Sequence, residues 1–164
     1  FERPKKVSGD SISSLETIKY FLSQLKNNNA YYPDLLVLLQ PTSPLRTSEH
    51  IIGALEETLD NNFDMLVSVK KNKSTLNNIR FISHGKVHNL KDNLEDKFKI
   101  NLENYDLYSA NGAIYIFNVA SLDQNLPQKS FKTIPYIMNE IDSFDIDTEE
   151  EFIISEKIFK INYE

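Results

Sequence analysis

Residues 35–46 have the sequence LLVLLQPTSPLR, and the fold prediction starts from this stretch. The apolar residues Leu35 to Leu39 lack the alternation of a strand with one exposed face, so they indicate a strand that is buried on both faces. Strands of this kind are typical of parallel sheets that helices cover on each side. Pro41 and Pro44 then predict a loop, because proline cannot donate a hydrogen bond to a sheet ladder.

A helix and a second buried strand follow the loop. Ile51, Leu55 and Leu59 recur at helical spacing behind Thr47, a residue type that caps helix N-termini. Residues 65–69 (MLVSV) have the composition of another buried strand. Strand, helix and strand at this spacing predict a βαβ unit with a right-handed crossover.

Three more segments complete an α/β domain. Ser13 opens a capping box, and the apolar spacing behind it predicts a helix over residues 12–27. Residues 113–117 (AIYIF) predict a third strand. Thr148 and Glu151 have the spacing of a second capping box, which would open a last helix. That helix is predicted to turn three apolar residues inward: Phe152, Ile153 and Phe159.

Residues 70–110 differ in composition from the rest of the chain. Lysine, asparagine and aspartate dominate there, with short strand-like pieces at residues 79–82 and 86–89. We expect an excursion from the main sheet and not a second domain. Residues 1–164 are therefore predicted to form a single domain, a size at which one hydrophobic core is sufficient.

The composition argues against several classes of function. The chain has no cysteine, which excludes disulfides, cysteine nucleophiles and cysteine metal ligands. The net charge of −6 argues against nonspecific binding to nucleic acid or to an anionic membrane. No apolar run approaches the roughly 20 residues of a membrane span. We therefore expect no nucleic-acid partner and no membrane partner.

The loop at residues 40–46 is the first candidate binding site. In open α/β sheets ligands bind beyond the carboxyl ends of the strands, and this loop is predicted to lie there. Gln40, Thr42, Ser43 and Arg46 offer an amide, two hydroxyls and a guanidinium, which suit a polyhydroxylated or phosphorylated ligand. The alternative is a polar strand-to-helix connection that contains a helix cap.

Asp145 and Asp147 are the second candidate site. If they follow a strand end, residues i and i+2 point the same way, so the two carboxylates converge while Ile146 faces the core. Such a pair suits Mg²⁺, which takes oxygen ligands and is often shared with phosphates. The alternative is a helix cap, because a carboxylate next to Thr148 would meet the positive end of the helix dipole.

Two further places carry weaker signals. Gly112 permits a positive φ or a close backbone approach, and Asn111 beside it has an amide that could face a ligand. The alternative there is a plain turn before a strand. Arg3 could contact a phosphate, or it could form a surface ion pair with Asp10.

These segments together resemble the acylneuraminate cytidylyltransferases, the CMP-sialic acid synthetase family. The motifs, in family order and with family-like spacing, are Arg3-Pro4 followed by Asp10, residues 38–46 (LLQPTSPLR), residues 111–115 (NGAIY) and residues 143–149 (SFDIDTE). The resemblance runs from Arg3 to the last helix.

The resemblance implies a three-layer, Rossmann-like nucleotidyltransferase fold with a mostly parallel sheet. It implies a cytoplasmic homodimer in which the excursion at about residues 70–110 reaches the other subunit. The implied reaction joins CTP and an acidic nine-carbon sugar of the sialic acid type, a nonulosonic acid, to give the CMP-sugar and pyrophosphate with Mg²⁺. Related legionaminic, pseudaminic or ulosonic acids stay open as substrates, and so does a non-catalytic dimerising or sugar-binding module.

The resemblance also assigns residues. Asp145 and Asp147 match the family's catalytic, metal-binding aspartates. The positions that match the sugar side are Gln40, Thr42, Ser43, Asn111, Gly112 and Tyr115. Arg3 and Ser14 match positions on the nucleotide side.

The sequence departs from the family pattern in two places, and each difference leads to a prediction. The family opens with a strand and a basic glycine-rich loop that binds the triphosphate, whereas the glycines here are isolated, so we expect the chain to start after that segment. Many members also carry arginines that hold the sugar carboxylate shortly before the Asn-Gly motif. Residues 101–110 (NLENYDLYSA) contain none. Lys97 or Lys99 could replace them, as point charges without the bidentate fork of arginine.

Overall fold

The computed structural model describes residues 4, 7, 9, 12–28, 31–72, 78–99, 101, 105–124 and 127–163. The helices are α1 (Ser14–Asn27), α2 (Ser48–Leu59), α3 (Leu90–Phe98), α4 (Val119–Asp123) and α5 (Glu149–Tyr163), with a short 3-10 helix at Gln128–Ser130. The strands are β1 (Leu35–Leu39), β2 (Met65–Lys71), β3 (Arg80–Ser83), β4 (Lys86–Asn89), β5 (Tyr108–Asn118) and β6 (Thr133–Met138).

The main sheet has four strands in the order β1-β5-β2-β6. Strands β1, β2 and β6 run in one direction, and β2 pairs with β6 in parallel. Strand β5 runs the opposite way between β1 and β2. The carboxyl ends of β1, β2 and β6 therefore meet at one edge of the sheet, which is the edge where ligands bind in open α/β folds.

The predicted βαβ unit differs from the observed pairing in one respect. Strands β1 and β2 do point the same way on either side of α2, but they are not neighbours, because β5 lies between them. The sheet is therefore mixed, although three of its four strands share a direction. An apolar strand such as residues 113–117 carries no signal of its orientation, which is set by pairings distant in sequence.

Two apolar cores lie on opposite faces of the sheet. Ile114 and Ile116 of β5 belong to one core, whereas Tyr115 and Phe117 belong to or pack against the other, as alternation along a strand requires. Helix α2 covers the first core, and helices α1 and α4 cover the second. A helical layer on each side of the sheet gives the three-layer, Rossmann-like α/β architecture expected from the sequence.

The excursion has its own secondary structure. Strands β3 and β4 form a separate two-stranded antiparallel sheet, and α3 follows directly. A turn at His84 and Gly85, both with positive φ, joins the two strands. The rings of Phe81 and His88 stack across this hairpin with their centroids 4.9 Å apart. Ile82 and Val87 are 76% and 67% exposed.

The last helix corrects one expectation. Thr148 and Glu151 do form the predicted capping box at its start. However, Phe152, Ile153 and Phe159 are 59%, 45% and 44% exposed, so the prediction that they turn inward is wrong for the described residues. No helix in the described part of the chain is both long and apolar enough to cross a membrane.

Candidate functional site

A bulge in β5 lies at the centre of the candidate site. Val67 of β2 pairs with Tyr115, but Val69 pairs with Ala110, so residues 111–114 lie opposite Ser68 alone. The extra residues on β5 bend the strand and interrupt its ladder with β2. Bulges of this kind commonly lie beside functional sites, where they redirect backbone and side chains.

Ser68 and Asn111 satisfy the polar groups that the bulge exposes. The Ser68 hydroxyl accepts from the Ile114 N–H at 2.7 Å and donates to Asn111 Oδ1 at 2.5 Å. Asn111 Oδ1 also accepts from the Ala113 N–H at 3.2 Å, and Nδ2 donates to the Ser143 hydroxyl at 2.8 Å. Asn111 is 3% exposed, so its amide is engaged inside the protein and fixes the backbone on either side of Gly112.

Gly112 is the point where two other candidate residues converge. Its φ of +76° is in the left-handed region that favours glycine. A Cβ atom at this position would lie 2.8 Å from Gln40 Oε1 and 3.2 Å from Asp145 Oδ2. The structure thus brings Gln40, Gly112 and Asp145 together from three separate segments of the chain.

Arg46, in the loop at residues 40–46, forms hydrogen bonds to the protein's own backbone. Arg46 Nη1 donates to the Ala113 carbonyl at 2.7 Å and to the Gln40 carbonyl at 3.0 Å, which fastens the loop to the bulged strand. Burial lowers the pKa of the Arg46 guanidinium below its ordinary value. Within the described part of the chain, Nη1 of this guanidinium is thus engaged by two backbone carbonyls.

Two buried oxygen atoms in this region have no hydrogen-bond partner among the described residues: Ser43 Oγ and Asp145 Oδ1. Their segments are joined by the Ile146 N–H, which donates to the Thr42 carbonyl at 2.9 Å. A buried polar atom without a partner is costly in a folded protein. The hydrogen-bonding capacity of both atoms is thus unused within the described part of the chain.

Asp147 has a different environment from Asp145. Residues 144–147 lie outside the helices and strands, so the two aspartates do not follow a strand end directly. Asp145 is half-buried, whereas Asp147 is exposed and its N–H donates to Glu151 Oε2 at 2.9 Å. The bond from the Asp147 N–H, with bonds from Thr148, lowers the pKa of the Glu151 carboxyl below its ordinary value of 4.5.

A divalent cation fits the donors at Asp145. Its Oδ1 is a hard carboxylate oxygen, buried and without a partner in the described part of the chain, and Mg²⁺ prefers such ligands. No cluster of three or more metal-ligating side chains occurs among the residues that the structure describes.

The remaining predicted residues are placed as follows. Tyr115 is half-buried on β5, and burial together with the charge of Asp145 raises the pKa of its hydroxyl above the ordinary value of 10.0. Ser14 is exposed at the first position of α1. Lys97 lies on α3 and Lys99 ends it. Arg3 and its proposed partner Asp10 lie outside the described residues.

Sequence reasoning missed Ser68 and the pairing of His50. Ser68 is a polar residue in an otherwise apolar strand, and that contrast was the available signal. His50 Nε2 lies 3.3 Å from Asp142 Oδ2, and the two side chains are 18% and 15% exposed. The sequence holds no signal for a pair 92 residues apart.

The fold and site define a three-layer α/β domain with a polar site at the carboxyl edge of its sheet. Known proteins are similar to it in sequence. No family model matches the chain. An N-acylneuraminate cytidylyltransferase of Escherichia coli is 34% identical over 92% of this chain and 34% of its own length. A CMP-N,N'-diacetyllegionaminic acid synthase of Legionella pneumophila is 27% identical over 99% of this chain and 69% of its own length.

A third relative, post-translational flagellin modification protein B of Campylobacter coli, is 29% identical over 98% of the chain. The chain spans about a third of the length of the N-acylneuraminate cytidylyltransferases that it matches. The resemblance inferred from the sequence motifs is confirmed, since those relatives match over nearly the whole chain.

Proposed function

We propose that this chain carries the sugar- and metal-binding part of a cytidylyltransferase. The enzyme joins CTP to an acidic nonulosonic sugar of the sialic acid type and releases pyrophosphate. The observation that carries the proposal is the convergence of Gln40, Gly112 and Asp145 at the carboxyl edge of the sheet. The similarity to N-acylneuraminate cytidylyltransferases over 92% of the chain supports the same conclusion.

The sugar occupies the surface between the loop at residues 40–46 and Gly112. Gln40 and the hydroxyls of Thr42 and Ser43 supply hydrogen-bonding groups for a polyhydroxylated ring, and Ser43 Oγ is otherwise unpartnered among the described residues. The absence of a side chain on Gly112 lets Gln40 Oε1 and Asp145 Oδ2 come close to its backbone. Asn111 acts indirectly, since its own amide is bonded to Ser68 and Ser143. Tyr115 completes this side of the site.

Asp145 and Asp147 would hold Mg²⁺. Two carboxylates are a common protein contribution to a magnesium site, because the ion keeps several waters and takes its other ligands from substrate phosphates. When bound, the ion neutralises charge on the triphosphate and polarises the reacting phosphorus. Arg3 and Ser14 are assigned to the nucleotide side.

The chemical step needs no side-chain nucleophile. The anomeric hydroxyl of the sugar attacks the α-phosphorus of CTP, the α–β phosphoanhydride bond breaks, and pyrophosphate leaves as the hydroxyl proton is lost. The protein contributes by holding the hydroxyl in line with the leaving group and by stabilising the charge that develops. Gln40 and Asp145 come from separate segments; Arg46 fastens the loop that carries Gln40 to β5, and the Ile146 N–H bond to the Thr42 carbonyl joins that loop to the segment that carries Asp145.

The excursion supports a homodimer. Ile82, Val87 and Phe98 are apolar, and each is more than half exposed in this segment. Apolar side chains clustered in one exposed segment mark an interaction surface. We assign it to a second copy of the chain, and we place the enzyme in the cytoplasm, where CTP is made.

The deciding experiment measures pyrophosphate release by the full-length protein. CTP and Mg²⁺ are supplied with N-acetylneuraminic acid, with N,N'-diacetyllegionaminic acid, and with an eight-carbon ulosonic acid. We expect release with one of the two nine-carbon sugars and formation of the corresponding CMP-sugar by mass spectrometry. ATP or GTP in place of CTP is the matched control. Sugar binding without pyrophosphate release with any sugar would support the non-catalytic module instead.

A further inference from the structure

The turn at residues 139–143, which follows β6, is fastened to α2 by a histidine and an aspartate. His50 Nε2 lies 3.3 Å from Asp142 Oδ2, and both side chains are mostly buried. His50 Nδ1 accepts a hydrogen bond from the Thr47 N–H at 3.0 Å. Because Nδ1 is the acceptor, the proton of the neutral ring is on Nε2, which donates to Asp142.

The same turn leads directly to Asp145. The Asp142 N–H donates to Asn139 Oδ1 at 2.9 Å, which shapes the turn itself. The next residue, Ser143, is bonded to Asn111 of the bulge. Beyond Asp145, the Ile146 N–H is bonded to the loop at residues 40–46. Asp145 therefore lies between two anchored residues. Asp142 Oδ2, which also accepts from Asn139 Nδ2 at 2.5 Å, joins this segment to α2 through His50.

We propose that His50 is a positioning residue for Asp145. Its Nε2–H fixes Asp142 and the turn, and the turn holds Asp145 where Oδ1 is buried without a partner among the described residues. His50 touches neither substrate nor metal in this assignment. Insofar as Asp145 is a metal ligand, the inference rests on the proposed function. Partners that orient a metal ligand change metal affinity or activity by about 10–100-fold when they are removed.

Two substitutions of His50 differ in whether they keep the donor to Asp142. Asparagine places an oxygen near the position of Nδ1, so H50N keeps the acceptor for the Thr47 N–H but loses the donor to Asp142. Glutamine places an amide nitrogen near the position of Nε2, so H50Q keeps the donor to Asp142, and its amide oxygen can cap α2 as glutamine does at this position of a capping box. Each variant is the other's control for folding and for general loss of the histidine.

The first readout is amide hydrogen exchange in residues 139–146 of the full-length protein, without metal or substrate. We expect exchange in this segment to accelerate by about three- to tenfold in H50N, as for the loss of one hydrogen bond, and to stay near wild type in H50Q. The Lys132 N–H, bonded to Asp64 Oδ2 at 2.7 Å on another part of the sheet, is the internal reference. This readout does not depend on the proposed reaction.

The second readout is the Mg²⁺ concentration that gives half-maximal pyrophosphate release. We expect it to rise by about tenfold in H50N and to stay near wild type in H50Q. Wild-type exchange in H50N, or equal acceleration in both variants, overturns the proposal. If residues 139–146 exchange faster in H50N but the half-maximal Mg²⁺ concentration is unchanged, His50 does not position Asp145. If the wild type releases no pyrophosphate with any sugar, the proposed function fails, while hydrogen exchange still decides whether His50 positions the segment.

Discussion

Gln40 Oε1 lies 2.8 Å from the point where a side chain on Gly112 would place its Cβ, although the two residues are 72 positions apart. The contact exists because the antiparallel pairing of β1 with β5, which ends at Leu39 and Ile114, brings Gly112 beside the loop after β1. A side chain on Gly112 would therefore collide with a residue assigned to the sugar. Substituting Gly112 therefore tests whether the close approach of Gln40 is needed for sugar binding.

Gly112→Ala should lower turnover at least tenfold while the protein stays folded. Alanine at a φ of +76° costs about 1–2 kcal/mol, and its Cβ would displace the Gln40 amide. Gly85→Ala is the matched control, since Gly85 has a φ of +72° but nothing within 4 Å of a Cβ. Both variants should lose similar stability in urea, and only Gly112→Ala should raise the KM for the sugar. Equal KM values would remove Gly112 from the sugar site.

Asp145→Asn should abolish CMP-sugar formation without lowering stability. The carboxylate oxygen Oδ1 is buried without a partner in the described chain, so removing the charge removes a desolvation cost. Pyrophosphate release and thermal unfolding of the same samples measure the two effects. Asp147→Asn should also abolish activity with no change in stability, because Asp147 is exposed. The exposed Asp60→Asn is the control, and turnover near wild type in Asp145→Asn would contradict the metal assignment.

In Glu151→Gln, the free energy of unfolding should fall less steeply with decreasing pH than it does in the wild type. Hydrogen bonds from the Asp147 N–H and from Thr148 hold the folded pKa of Glu151 below its ordinary value of 4.5. A carboxyl with a lowered folded pKa stabilises the protein above its unfolded pKa, and this stabilisation is lost as the pH falls through the folded pKa. Unfolding in urea between pH 6 and about pH 3 measures the difference between the two proteins. We expect their curves to converge below pH 4.5, whereas parallel curves would exclude Glu151 as the source.

Ile82→Lys should convert a dimer into a monomer. Ile82 is 76% exposed on the hairpin that we assign to the second copy, and a buried lysine without a partner is strongly unfavourable at an interface. Leu59→Lys is the control, since Leu59 is 79% exposed at the end of α2, away from the hairpin. Sedimentation equilibrium gives the masses. An Ile82→Lys protein that stays dimeric, or a monomeric wild type, would refute the assigned surface.

The sequence predicted the parts of the fold that depend on local chemistry. The apolar run at Leu35–Leu39 is a strand, Ser13 caps α1 through a bond from the Glu16 N–H, and Thr148 opens α5. In each case the signal is contained in a few neighbouring residues. The motifs also named Gln40, Gly112 and Asp145 before any contact between them was known.

The features that sequence reasoning missed depend on residues far apart in the chain. The reversed direction of β5 follows from its pairing with β1 and β2, not from its composition. Arg46 turns inward because the carbonyl of Ala113 lies within its reach. The exposure of Phe152 on α5 was missed because helical spacing shows which residues share a face but not what covers that face.

The position of β5 also constrains the order in which the protein can assemble during synthesis. Strands β1 and β2 precede β5 in the chain, but each is paired with β5 in the finished sheet, and the other neighbour of β2 is the still later β6. The apolar segments of β1 and β2 must therefore wait for about 40–70 further residues before their partner exists, a separation that slows folding and prolongs their exposure. A nascent chain that pauses before Tyr108 would present β1 and β2 without β5 to chaperones and to other nascent chains.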